Sequence, residues 1–177
     1  SFCRNVVMKP RRAATLQFRH RAIVCKPHGS LDWYARNGRP VFYAGELPDV
    51  ARLIITPGHN KFRNGYESPF DLHRSKANDA IDRASRFLVL GYGFNDDHLE
   101  THLSPRIREG KPTLMLTWSL SDTARQLALK NRSVIALERA EFAGNVGTSV
   151  IVEQKQFFFP GVGMWDVDSF VSEVLEP

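Results

Sequence analysis

His28 is the residue of this sequence best suited to acid–base chemistry. It stands in Lys26–Trp33, KPHGSLDW, where the glycine that follows lets a turn present the imidazole at a sheet edge as a general base. The plainer reading is a histidine that satisfies a loop carbonyl, and one His-Gly pair does not separate the two. The second stretch is Arg86–Leu103, RFLVLGYGFNDDHLETHL. Phe87 to Leu90 reads as a fully buried strand, Gly91-Tyr92-Gly93 as a sharp turn, and a helix follows, capped by Asn95 or Asp96, with Leu99, Leu103 and Ile107 facing inward. Strand, glycine turn and helix start is how open α/β sheets hold a nucleotide outside the carboxyl ends of their strands. Gly-x-Gly lacks the third glycine of the dinucleotide fingerprint, and an acidic helix start repels phosphate. The expectation is therefore a ribose or base, rather than phosphates, against Asn95 to Asp97. His98 and His102, with Glu100 between them, can share one helix face. Leu99 directly follows His98 where the zinc-protease motif needs glutamate, so no metal is expected.

These residues need a frame. Ala22 to Cys25 reads as a strand that delivers the chain to Lys26. Leu31–Tyr34 and Val41–Tyr43 flank Arg36-Asn37-Gly38-Arg39, and Asn-Gly between apolar runs predicts a β-hairpin, a small insert outside any parallel sheet. Leu53–Thr56 is another strand, followed by a polar loop from His59 to Ser68. Pro69 opens a helix with Phe70, Ala77, Ile81 and Ala84 at helical spacing. After the helix near Asn95, which Ser104-Pro105 kinks or divides and Gly110 ends, come a strand at Thr113–Thr117, a helix capped by Ser119 or Ser121, and a strand at Val134–Leu137. Strand and helix alternating from 87 to 137 predicts a doubly wound parallel half-sheet. One or two further strands between Thr148 and Phe159 and an amphipathic helix over Trp165–Leu175 complete the chain, with Phe157 to Phe159 as core or interface.

At 177 residues with 42% hydrophobic content, one domain with a sizeable core is expected. No apolar run approaches the length of a membrane span. Cys3 and Cys25 make neither a disulfide framework nor a four-ligand zinc site, which points to a reducing cytoplasm. The net charge of +5 is uneven: residues 1–39 carry nine Lys/Arg against one acid, Asp32, leaving about −3 over the remainder. A basic end attracts nucleic acid or a phosphorylated ligand, but it also serves interfaces, and without a recognised motif nucleic acid is the weaker expectation.

Taken together, KPHGSLDW, ITPGHNKF at 55–62 and FLVLGYGFNDDHL, about 60 residues after the histidine, resemble the Sir2-like domain of bacterial NAD-consuming antiphage defence proteins, distant relatives of sirtuins. The resemblance covers residues 20–140. It implies a Rossmann-type NAD site with His28 as catalytic residue and Gly29 and Ser30 shaping its turn. It implies a pocket lined by Gly91, Tyr92, Gly93, Phe94, Asn95 and Asp97, with Thr117, Trp118 and Ser119 near the adenosine. The implied reaction is hydrolysis of the nicotinamide–ribose bond, with NAD as substrate. The glycine-rich phosphate loop and the Thr-Asn-Tyr-Asp-like motif of the family are absent, so the chain is expected to be the C-terminal portion of such a domain. Partners then expected are other domains of a larger protein or further copies of the chain. Two alternatives stand beside the hydrolase: a non-catalytic module that binds a nucleotide or a protein, and an NAD-dependent deacylase, which two cysteines disfavour because the sirtuin zinc module needs four.

Overall fold

The computed structural model describes residues 22–55 and 68–176. The chain divides between Asp79 and Ala80 into two compact units, where length and composition predict one domain; each unit is described by itself.

The first unit is built on a three-stranded antiparallel sheet in the order β2-β1-β3, with β1 Gly29–Arg36, β2 Arg39–Phe42 and β3 Arg52–Ile54. The predicted hairpin is present. Arg36 pairs with Arg39, and Asn37 and Gly38 both take positive φ, 51° and 69°, the two-residue turn whose twist matches that of the strands. Trp33 and Tyr34 are buried, and the Tyr34 hydroxyl donates to the Gly45 carbonyl at 2.8 Å. Ala22–Cys25 is not a strand. Ile23 and Val24 are exposed, and this run pairs with no strand among the described residues, so its apolar character is not converted into a ladder. His28 therefore precedes the first strand instead of ending one. Helix α1, Phe70–Arg83, buries Phe70 and His73 from its first turns. The loop expected from His59, and ITPGHNKF beyond Ile55, lie outside the described residues.

The second unit carries a five-stranded sheet in the order β4-β5-β6-β7-β8, with β4 Phe87–Leu90, β5 Thr113–Thr117, β6 Val134–Phe142, β7 Asn145–Val152 and β8 Lys155–Pro160. β4, β5 and β6 are parallel and joined through α2, Asp97–Arg108, and α3, Asp122–Lys130. β7 and β8 add antiparallel to β6, so the sheet is mixed and the protein is of α/β type. Strand order advances in one direction, and right-handed crossovers then place both helices on the same face. There Leu103, Ile107, Ala124, Leu127 and Ala128 meet Val89, Met115, Val134, Ala136 and Ile151. On the opposite face Met164, Trp165 and Phe170 of the C-terminal segment cover Leu116, Leu137 and Val150. The helices on both faces expected of a doubly wound sheet are thus replaced, on one face, by this segment.

Three local expectations change. Among the described residues β4 is an edge strand: Val89 is buried, but Leu88 and Leu90 are 62% and 48% exposed, because an apolar run of four residues is read as two-sided burial when the described residues cover only one face. Pro105 lies inside α2 without ending it, and the helix closes at Glu109 with Gly110 at φ 93°. The strand beginning at Val134 runs on to Phe142, and the predicted terminal helix is a short α4, Val167–Phe170, continued by a π-helical turn, Val171–Leu175.

Candidate functional site

In the first unit, Pro27 and His28 form the tip of a four-residue turn closed by the Gly29 N–H on the Lys26 carbonyl at 3.0 Å. Pro in the second position and Gly in the fourth is the pattern such turns favour. Gly29 takes φ 85°, and a Cβ there would stand 2.1 Å from the Leu53 carbonyl oxygen, so two separate constraints require glycine. The His28 carbonyl accepts the Ile55 N–H at 2.8 Å, fixing the turn to the chain leaving β3. Across it, Lys26 Nζ donates to Ser30 Oγ at 2.6 Å and stands 3.5 Å from Asp32 Oδ1. The Ser30 hydroxyl holds the Asp32 carboxyl below its ordinary value; burial opposes it, and the Lys26 ammonium adds to the lowering. Ser30 is thereby engaged in this network, and half-buried His28 is carried on a turn tied at its neighbours.

In the second unit, Gly91 closes β4 at φ 60° with its N–H on the Leu116 carbonyl at 3.0 Å, and a Cβ there would meet nothing within 4 Å. The turn that follows is held from inside. Phe94 is buried in the helix-covered core at φ 55°, and its ring lies 5.0 Å from that of Tyr92. The Tyr92 hydroxyl donates to Glu100 Oε1 at 3.1 Å, while Ser104 donates to the other oxygen of that carboxylate. Burial, reinforced by the Glu100 charge, pushes the Tyr92 phenol up from its ordinary value of 10.0. Asp96 is the helix cap: its Oδ1 accepts from the backbone of His98 at 3.0 Å and of Leu99 at 3.4 Å. The N-terminus of α2 is therefore already occupied by a carboxylate, and the exposed groups beside it are Asn95 and Asp97. Gly93 lies against Asn95, whose Nδ2 a Cβ would approach to 2.9 Å. Of the predicted pocket residues, Phe94 supports the turn from the core, whereas Gly91, Asn95 and Asp97 lie at the surface.

At the carboxyl end of β5, Trp118 is 62% exposed and Ser119 is exposed beside it. The Arg139 guanidinium stands over the Trp118 ring at 4.8 Å, and the Trp165 ring meets it edge-on at 5.0 Å. Ser121, not Ser119, caps α3. The loop is held by a residue that spacing did not single out. Glu138, buried within β6, accepts the Leu120 N–H at 2.9 Å and pairs with Arg125 at 2.7 and 2.9 Å. A lone acid in the apolar run VIALERAEF is the signal that could have found it.

Of the helix-face histidines, His102 is engaged in a polar contact. His102 Nδ1 lies 3.0 Å from Asp82 Oδ2, the other oxygen of which takes Arg106, and Glu100 is committed to Tyr92 and Ser104. Among the described residues no group of three His, Cys, Asp or Glu side chains is placed to hold a metal, and no helix is long and apolar enough to cross a membrane. An open cavity of about 530 Å³, lined by Arg108, Asp122, Thr123, Gln126 and Lys130 among others, touches none of the predicted site residues. Its walls are solvated helix ends of mixed charge, without convergent chemistry. His73 was also missed: it is buried, and its Nδ1 accepts the Lys26 N–H at 3.0 Å. Neither a protein-family model nor a curated protein matches this chain.

Proposed function

We propose that this chain is part of a cytoplasmic Sir2-like NAD hydrolase whose parallel strands belong to a Rossmann-like nucleotide fold, serving in antiphage defence. The observation that carries the reading is the carboxyl edge of β4 and β5. There a left-handed glycine, the exposed polar pair Asn95 and Asp97, and an exposed tryptophan gather at the ends of parallel strands, which is where α/β sheets take nucleotides. Asp97 and Asn95 would accept and donate hydrogen bonds to ribose hydroxyls, and Trp118 would stack on the adenine, an interaction worth about 1–3 kcal/mol per base. In this reading His28 is the general base. Water attacks the anomeric carbon of the nicotinamide riboside, the C–N bond breaks with its electron pair leaving on nicotinamide, and the proton lost by water passes to the imidazole. The products are nicotinamide and ADP-ribose. Other domains or further copies of the chain would complete the pocket.

A second reading, a non-catalytic module for a nucleotide or protein partner, draws support from Asp96, because a helix N-terminus already holding a carboxylate does not receive a pyrophosphate.

Nicotinamide release by the full-length protein and its His28→Ala variant separates the two. A general base contributes roughly 10²–10⁴-fold, so His28→Ala should lower turnover at least a hundredfold. Turnover indifferent to the change removes His28 from the chemistry. NAD binding without turnover in either protein establishes the module instead.

A further inference from the structure

We infer that His73 is a positioning residue for His28, acting through the backbone of Lys26; the inference rests on the reading of His28 as general base. His73 is 1% exposed, at a depth where an imidazole is kept only with its polar atoms satisfied. It sits in the first turns of α1, its own N–H on the Pro69 carbonyl, and its ring packs on Trp33 at 4.6 Å and 56°. Its Nδ1 accepts the Lys26 N–H at 3.0 Å. A nitrogen that accepts carries no proton, so the neutral ring holds its hydrogen on Nε2 and the contact exists only in that form.

The geometry around His28 gives this bond its importance. Lys26 is the first residue of the turn and His28 the third. The near end is held by His73 on the Lys26 N–H and by Gly29 on the Lys26 carbonyl; the far end is held by Ile55 on the His28 carbonyl. The Lys26 side chain reaches across to Ser30 and lies 6.0 Å from the Trp33 ring centre, the same ring on which His73 packs. Two histidines in one unit thus divide the work: one half-buried at the tip of the turn, one buried beneath its entry. A catalytic base must be held to within fractions of an ångström, and a 1 Å misplacement costs about a hundredfold in rate. The buried histidine supplies that restraint from α1, an element that contributes nothing to the turn's own sequence.

The test uses three variants of the full-length protein. Asn places its side-chain oxygen near the position of Nδ1, Gln places it near Nε2, and Leu removes the acceptor. The expected result is a 10–100-fold loss of kcat for nicotinamide release in His73→Leu and His73→Gln, with KM within about twofold and most of the rate restored in His73→Asn. Amide hydrogen exchange supplies an independent readout: Gly29 and Ile55 should exchange at least tenfold faster in His73→Leu and His73→Gln, while amides beyond Ala80 keep their protection. If His73→Leu fails to fold, the Asn and Gln pair carries the comparison alone. Equal rates in Asn and Gln variants overturn the inference, as does unchanged exchange at Gly29 and Ile55. Accelerated exchange with kcat intact reduces His73 to a structural role. No turnover in the wild type overturns the hydrolase reading and the catalytic half of this one, and exchange then still decides whether His73 holds the turn.

Discussion

The turn at His28 and the turn at Gly91 both place a left-handed glycine at a strand boundary, Gly29 opening β1 and Gly91 following β4, and they are held by different forces. The first is a polar construction: the Lys26–Ser30–Asp32 network on one side, backbone hydrogen bonds to Ile55 and His73 on the other, and a glycine wedged against the Leu53 carbonyl. The second is anchored by apolar burial. Its glycine faces open space, while Phe94, three residues on, is sunk in the core and holds the loop in place. A non-glycine residue at φ 55° costs about 1–2 kcal/mol, and burying a phenylalanine stabilises by more than that, so the packing wins. Two turns with similar sequence punctuation therefore differ in what can break them.

The largest effect should come from the core-held turn. Phe94→Ala is expected to destabilise the second unit by about 3–5 kcal/mol in a urea titration, through lost burial and the cavity left behind. A loss under about 1 kcal/mol would mean that the Gly91 turn does not depend on its aromatic anchor. The next tests pit the two glycines against each other. Gly29→Ala meets a backbone oxygen as well as the left-handed penalty and should cost about 3 kcal/mol, whereas Gly91→Ala meets only the penalty and should cost about 1 kcal/mol. Equal losses would erase the distinction between a wedged and an open glycine.

The smallest effect is a difference in pH response. The Asp32 carboxyl titrates below its ordinary 3.8 because Ser30 and Lys26 favour its charged form, so its contribution is complete above about pH 4 and is lost as acid protonates it in the folded state. Tyr92 titrates above its ordinary 10.0 because burial and Glu100 favour the neutral phenol, so its contribution is complete below about pH 10 and is lost as alkali ionises it. Asp32→Asn should thus lower Tm at neutral pH and converge with the wild type in acid, while Tyr92→Phe should converge with it only in alkali. Parallel Tm profiles for the two variants would show that neither group carries the linkage assigned to it.

Local elements were readable wherever one physical rule decided them. Asn37-Gly38 specified its hairpin because both residues tolerate positive φ at little cost, and Gly110 ended α2 for the same reason. Leu103 and Ile107 fell on the buried face because helical period alone places them there. The run Ala22–Cys25 misled because a strand also requires a neighbour, and Leu88 and Leu90 misled because apolar composition does not say whether one face or two will be covered. Of the candidate site, His28, Asn95 and Asp97 were nameable from residue type and place, and Trp118 only from the family resemblance. Glu138, Arg139, Trp165 and His73 were not, since each reaches its partners across 13 or more residues of chain, onto another element.

By itself, then, the sequence determined the alternation of strand and helix from Phe87 to Leu137 and the hairpin at Asn37-Gly38, and narrowed two helix caps to two residues each, because periodicity, turn chemistry and capping act over a few neighbouring residues. Tertiary structure alone decided that the chain forms two units, that both crossover helices share one face of a mixed sheet, and that a buried histidine on α1 supports the turn of His28. Those outcomes depend on which surfaces find each other across long stretches of chain, and a linear pattern carries no record of that pairing.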